Sequence, residues 1–140
     1  MSPRKLMITS SLAALLLVPL SAGATPTPAH EGPCALAGFS VTQVVPYRVE
    51  ERAGRGTVRR LAGASLFVPA QQGLTPEYLQ ATLEKHLKAM LTRTMAGCPL
   101  DVDSISVKVT SAGNGYWVRI AGKDHKAAKE ILARSQHLAR

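Results

Sequence analysis

The chain has 140 residues, of which 46% are hydrophobic and 19% charged, and its formal net charge is +8. This length is enough for one domain and no more, which excludes a large multidomain protein. A basic chain favours anionic partners such as lipopolysaccharide, phospholipid head groups, acidic polymers or nucleic acid, although many exported proteins are simply basic.

Residues 1–24 have the features of a secretory signal peptide. Arg4 and Lys5 give a positive start, residues 12–20 form an apolar run, and an Ala-Gly-Ala cleavage site follows. The apolar run is too short to span a bilayer, so we expect no transmembrane anchor. We expect a periplasmic or secreted mature protein that begins at Thr25, with a net charge of +6 because Arg4 and Lys5 are removed from the +8 chain. Export argues against nucleic acid as the partner.

Residues 25–37 are rich in proline and predict an extended lead-in, followed by a single domain over residues 38–140. A first strand is predicted over residues 38–50, where Pro46 indicates an edge strand or a bulge. An Ala-Gly-Arg-Gly turn signal then leads into a second strand over residues 57–68, so the two strands form a hairpin.

The longest helical pattern in the chain is residues 75–98. Thr75 is a suitable N-cap and Pro76 suits the first helical position. Gly97 fits the left-handed position after a helix, so the pattern predicts a helix that runs up to this glycine. One face carries the apolar residues at helical spacing, namely Leu79, Leu83, Leu87 and Met90.

A second hairpin and a second helix follow. Residues 104–111 alternate between apolar and polar side chains, Asn114 and Gly115 mark a turn, and residues 116–121 form the returning strand. Asp124 can cap the last helix. The sequence therefore predicts an α+β fold of order ββαββα, in which two helices cover one face of an antiparallel sheet.

The two cysteines are predicted to form one disulfide. Cys34 and Cys98 lie in a chain that we expect to be exported, where paired cysteines are usually oxidised. Closing this loop would stabilise the fold by about 4 kcal/mol in the chain-entropy model. A pair of reactive or metal-bound thiolates is the alternative, and it would require activating neighbours that the sequence does not plainly show.

Arginines crowd the first hairpin and its tip. The planar guanidinium fork binds phosphate and carboxylate groups, so this cluster predicts an anion-binding edge. The alternative is that these charges only protect an exposed strand from pairing with other chains. The residues of the predicted edge are Arg48, Arg52, Arg55, Arg59 and Arg60.

Trp117, the only tryptophan, lies beside Arg119 in the last predicted strand. If the helices cover the face that carries Val118, Trp117 points out of the other face. An exposed tryptophan among cations could stack on a sugar, a base or a lipid head group. The alternative, which we favour, is that the first hairpin folds over this face and buries Trp117.

His86 and Met90 lie one turn apart on the same helical face, and Met95 follows. Imidazole and thioether groups together suit monovalent copper, so these residues are a candidate soft-metal site. Methionine is also a common gap-filler in protein cores, and a disulfide would remove the Cys98 thiolate from such a site.

Part of the chain resembles a family of small exported bacterial proteins of unknown function. The resemblance covers residues 63–138 and implies export without naming an activity. This chain departs from the family pattern at Lys85, where relatives often carry a cysteine next to the histidine, and its link to the Cys-Pro-Leu motif is short. The departure weakens the case for metal binding. The matching stretches are GASLFVPA (63–70), GLTPEYLQ (73–80), His86, Cys98-Pro99-Leu100, GNGYWVRI (113–120) and AAKEILAR (127–134).

The sequence contains no G-x-S-x-G, H-E-x-x-H or P-loop motif, and we therefore expect a protein without catalytic residues or a cofactor. Our leading hypothesis is a non-enzymatic envelope or periplasmic protein that binds an anionic envelope component or polymer through its basic hairpin. The competing hypothesis is a copper-binding protein that uses His86 and nearby methionine and cysteine residues.

Overall fold

The computed structural model describes residues 34–92 and 94–139. A short 3-10 helix, Ala35–Gly38, comes first. The prediction of an α+β fold of order ββαββα is confirmed. The elements are β1 Gln43–Ala53, β2 Gly56–Pro69, α1 Pro76–Met90, β3 Ile105–Ala112, β4 Gly115–Gly122 and α2 His125–Gln136.

The four strands form one antiparallel sheet in the order β1-β2-β4-β3. Each hairpin pairs its own two strands, and the hairpins join where β2 pairs with β4. In this pairing Leu66 lies opposite Val118, and Ala64 lies opposite Ile120. The edge strands of the sheet are therefore β1 and β3, and each pairs only with the other strand of its own hairpin.

Strand β1 begins at Gln43 and runs to Ala53, so the prediction of a strand over residues 38–50 placed it too early. Pro46 lies in this edge strand, and a β-bulge follows between Tyr47 and Arg48, as the proline indicated. The extra residue of the bulge is Ala62 of β2, next to Gly63, where a Cβ atom would overlap the Ile120 carbonyl oxygen of β4. Glycine is required there because the β4 backbone approaches so closely.

Both helices pack against the same face of the sheet, as predicted. That face carries Leu66, Val68, Val118 and Ile120, all of them fully buried. Opposite them lie residues of α1 and α2 that are also fully buried: Leu79, Leu83, Ala128 and Ile131. The apolar stripe of each helix and one face of the sheet thus form a single core.

Helix α1 begins as predicted but ends early. The Thr75 hydroxyl accepts the Tyr78 N–H at 3.1 Å, which confirms the N-cap. The prediction that the helix runs to Gly97 is wrong, because it ends at Met90. Gly97 instead lies in a separate turn, with φ of 84°, that the Cys98 N–H closes by donating to the Met95 carbonyl at 3.1 Å. Gly97 therefore has the left-handed conformation that was predicted, but it lies in a loop and not at the end of the helix.

Gln80 of α1 fixes the helix to the outer edge of β3. Its side-chain amide donates to the Val107 carbonyl at 3.1 Å, and its side-chain oxygen accepts the Val109 N–H at 2.7 Å. One side chain thus makes the two hydrogen bonds that a neighbouring strand would make at this point of the ladder.

The disulfide between Cys34 and Cys98 is present, as predicted, with the two Cα atoms 5.5 Å apart. It ties the start of the described chain to the loop that follows α1. The prediction of an extended lead-in is wrong for its last residues, because the 3-10 helix begins at Ala35 and Leu36 is fully buried. Residues 34–37 therefore belong to the folded domain, which was predicted to begin at residue 38. The signal peptide and the rest of the lead-in lie outside the described residues.

Within residues 34–92 and 94–139, no helix combines the length and the apolar composition that a membrane span requires.

We expect replacement of both cysteines by serine to lower the free energy of unfolding by about 4 kcal/mol, since the loop that they close spans 64 positions. Thermal unfolding should show a melting temperature lower by at least about 10 °C. Reduction of the unmodified protein should reproduce the loss. A melting temperature that both treatments leave unchanged would contradict the structural role of this bond.

Candidate functional site

The face of the sheet that carries Trp117 and Arg119 is opposite the helices. Among the described residues, β1 pairs with β2 as an edge strand of the same sheet and forms no separate layer over this face. The first hairpin therefore does not fold over Trp117, and the arrangement that the sequence favoured is wrong. Trp117 is half-buried instead, packed edge-on against Phe67 with ring centroids 5.1 Å apart and an interplanar angle of 60°.

A shallow groove of about 600 Å³ crosses this face from the first hairpin to β4. We call it the sheet-face groove. Its lining combines arginines, two aromatic rings and one glutamate: Val45, Pro46, Tyr47, Arg48, Glu50, Arg59, Ser65, Trp117 and Arg119. The structure thus joins two features that the sequence presented separately, the arginines of the first hairpin and the Trp117–Arg119 pair.

Arg119 contributes positive charge to this face of the sheet. Its guanidinium carbon is 5.7 Å from the centroid of the Tyr47 ring, within the range of a cation–π contact. Lys108 lies directly opposite Arg119 in the β3–β4 register, so the two exposed cations are neighbours. Neither has a salt bridge to a carboxylate in the described part of the chain. Their charges are therefore available to a ligand.

The five arginines of the predicted edge do not form one surface. Arg48 lines the sheet-face groove, Arg52 and Arg60 line a second depression beside His125 of α2, and Arg59 lies between the two and lines both. Arg55 lies in the turn between β1 and β2.

Two of these arginines are paired with glutamates of the same hairpin. Arg59 contacts Glu50 at 3.4 Å, and Arg60 donates to Glu51 at 2.7 Å. Exposed pairs of this kind contribute at most about 1 kcal/mol, but they reduce the net charge of the hairpin. Arg48 also lines the groove, and it forms no salt bridge with a carboxylate among the described residues.

Tyr47, which lines the groove, and Phe67, which packs against Trp117, were not singled out in the sequence. The signal that could have found them is the register between β2 and β4, which places Phe67 beside Trp117, and the bulge, which places Tyr47 opposite Gly63. These pairings join residues of different strands. The alternation of side chains within one strand does not predict which residues of another strand lie opposite.

A second constellation lies at the disulfide. One ligand atom each from Cys34, His86 and Cys98 lies within 4.8 Å of the others, and we call this set the cysteine–histidine cluster. The His86 Nε2 atom is 3.9 Å from the Cys98 sulfur. Both cysteines are buried and His86 is half-buried.

Of the predicted soft-metal residues His86, Met90 and Met95, only His86 belongs to this cluster. The structure places His86 beside the disulfide, whereas Met90 and Met95 are half-buried hydrophobic residues packed against the core. The thiolates of Cys34 and Cys98 are not available as ligands while the two sulfurs are bonded.

The loop that carries Cys98 is fixed by polar contacts from two sides. The Asp101 carboxylate accepts the Met95 N–H at 2.8 Å. From α2, one guanidinium nitrogen of Arg134 donates to the Cys98 carbonyl at 3.0 Å and to the Asp101 carbonyl at 2.7 Å. Glu130, one turn earlier, pairs with the same guanidinium. These bonds hold Cys98 at a defined distance from His86.

We expect Arg134→Gln to loosen this loop, because the carbonyls of Cys98 and Asp101 both lose their charged donor. The free energy of unfolding should fall by about 1–3 kcal/mol in a denaturant titration, and a dithiol should reduce the disulfide faster. Lys129→Gln, an equal change of charge at an exposed position of α2, is the control. Equal rates of reduction in the two variants would contradict the anchoring role of Arg134.

Comparisons with known proteins return no match for this chain, whether with family models, with curated proteins or with solved structures. Functional inference therefore depends on the chemistry of the sheet-face groove and of the cysteine–histidine cluster.

Proposed function

We propose that this chain is an exported, non-enzymatic protein that binds an anionic component of the cell envelope in the sheet-face groove. The observation that carries the proposal is the meeting of Arg48, Arg119, Tyr47 and Trp117 in one groove on the face opposite the helices. A sugar polymer that carries phosphate, sulfate or carboxylate groups is the ligand class that fits these side chains best.

The charge of the groove supports an anionic ligand. Three arginines and one glutamate line it, so positive charge remains after the Arg59–Glu50 pair is formed. Guanidinium groups bind phosphate and carboxylate oxygens through two parallel N–H donors, which makes such contacts directional as well as attractive. Lys108 extends the positive surface beyond Arg119 toward the β3 edge.

The aromatic residues support a ligand with rings between its charges. Trp117 is held by Phe67 at a centroid distance of 5.1 Å, which restricts its motion before a ligand arrives. A fixed aromatic side chain offers an apolar face for stacking at little cost in conformational entropy. Arginines beside a ring platform therefore suit an acidic sugar better than a small inorganic anion.

The proposed location outside the cytoplasm is supported by the disulfide. Disulfides persist in oxidising compartments such as the periplasm and are rare in the cytosol. Cys34 and Cys98 form such a bond here. Together with the charged start and the apolar run of residues 1–24, this favours a periplasmic or secreted protein.

We expect Arg48→Gln combined with Arg119→Gln to weaken binding to heparin, an acidic sugar polymer that serves as the probe. The double variant should elute from a heparin column at clearly lower salt than the unmodified protein, because two unbalanced charges of the groove are lost. Lys126→Gln combined with Lys129→Gln is the matched control, since it removes the same charge from the exposed side of α2. Equal shifts in both double variants would show that binding follows net charge, and would contradict the proposal that the sheet-face groove is the binding site.

Trp117 gives a separate readout because it is the only tryptophan. Its fluorescence should change on titration with heparin, and Trp117→Leu should weaken binding by about 5- to 150-fold because the stacking contact with the ligand is lost. Fluorescence that does not respond at saturating heparin would contradict a ligand in the groove.

We expect intact-mass measurement of the protein recovered from the periplasm or the medium to give the mass of a chain that begins at Thr25. The expectation follows from the Ala-Gly-Ala sequence that precedes this residue. Full-length protein that retains Met1 and accumulates in the cytosol would contradict export.

A further inference from the structure

We propose that the cysteine–histidine cluster becomes a binding site for a cuprous ion when the disulfide is reduced. The ligands are the sulfurs of Cys34 and Cys98 and the imidazole of His86. This inference goes beyond the sheet-face groove, because it concerns different residues and a different ligand.

The distances in the cluster are close to those of a metal site. Ligand atoms of the three residues already lie within 4.8 Å of one another, and His86 Nε2 is 3.9 Å from the Cys98 sulfur. Metal–sulfur bonds of about 2.3 Å in trigonal three-coordinate geometry place two sulfurs about 4.0 Å apart. Rotation of the cysteine side chains after cleavage of the bond provides this separation, with the Cα atoms 5.5 Å apart.

Each ligand is held by contacts other than the disulfide. His86 belongs to helix α1, and Cys34 precedes a 3-10 helix whose Leu36 is fully buried. Cys98 lies in the loop that Arg134 binds through the Cys98 and Asp101 carbonyls. These anchors keep the three side chains near one another when the covalent bond is absent. The site is thus assembled by the fold.

The donor set favours a cuprous ion. Two thiolates and one imidazole are ligands for soft and borderline ions, that is Cu⁺ or Zn²⁺. Zinc held by two cysteines and one histidine takes water or a substrate as its fourth ligand, since the cluster supplies three ligands among the described His, Cys, Asp and Glu residues. Cu⁺ binds in three-coordinate sites, so two soft thiolates and one borderline imidazole complete its coordination without a further ligand.

Oxidation state controls the site. A dithiol reductant transfers two electrons and two protons to the Cys34–Cys98 bond, which breaks to give two thiols while the reductant becomes a disulfide. Each thiol then releases its proton when its sulfur binds the ion. The oxidised protein has no thiolate to offer, so metal binding and the disulfide exclude each other.

The test is a titration of the purified protein with Cu⁺ held by a coloured cuprous chelator, under anaerobic conditions. One sample is reduced with a phosphine that is then removed, and the other keeps its disulfide. We expect the reduced protein to withdraw one equivalent of Cu⁺ from the chelator and the oxidised protein to withdraw none. His86→Ala should weaken binding by the reduced protein at least about tenfold, since even losing a group that only orients a ligand costs that much.

His125→Ala, at an exposed histidine of α2, is the matched control and should bind as the unmodified protein does. Reduced protein that takes no Cu⁺, or that binds it equally well without His86, would overturn the proposal. Binding of Zn²⁺ but not Cu⁺ would overturn the choice of ion. If reduction unfolds the chain, circular dichroism should show refolding on addition of one equivalent of Cu⁺, and a chain that stays unfolded would also overturn the site.

Discussion

The antiparallel pairing of β2 with β4 is the constraint on which the rest of the structure depends. It joins two hairpins that would each be marginal alone into one sheet. Because paired residues share a face, Leu66 with Val118 builds the core while Phe67 with Trp117 builds the opposite surface. The same register therefore specifies the stability of the domain and the position of its binding groove. Gly63 is where this pairing leaves no room for a side chain, next to the bulge that sets the position of Tyr47.

The loop after α1 is the second organising feature, and it is built from polar contacts rather than from apolar burial alone. Asp101 and Arg134 satisfy backbone groups of this loop and so place Cys98 against Cys34 and His86. In this way α2, the end of α1 and the first described residues converge at one end of the core. The disulfide adds to an arrangement that hydrogen bonds already define, since these bonds act on the folded state whereas a cross-link acts mainly on the unfolded chain.

What the sequence predicted correctly is what local chemistry decides. The caps at Thr75 and Asp124 depend on residues three positions away, and each is present with the expected hydrogen bond. The alternation around Val107 and Val109 gives β3 in the same way. The early end of α1 was missed because the helical pattern continues to Gly97, whereas the loop after Met90 is held by contacts with residues distant in sequence, such as the bond from Arg134 to Cys98. The groove was only half anticipated, because Trp117 and the arginines are visible in the sequence but the strand order that unites them is not.

The contact between Gln80 and the β3 backbone has a consequence for how this protein meets other molecules. An exposed strand edge invites a further strand, from a partner or from a second copy, and natural sheets protect their edges against such association. Here Gln80 occupies the outward groups of Val107 and Val109 at one edge, while at the other Pro46 lacks an N–H and charged residues such as Arg48 and Glu50 follow. Neither edge presents a regular ladder to an incoming chain. Recognition is thereby directed away from backbone pairing, which is tolerant of sequence, toward side chains on the face of the sheet, which discriminate by charge and shape.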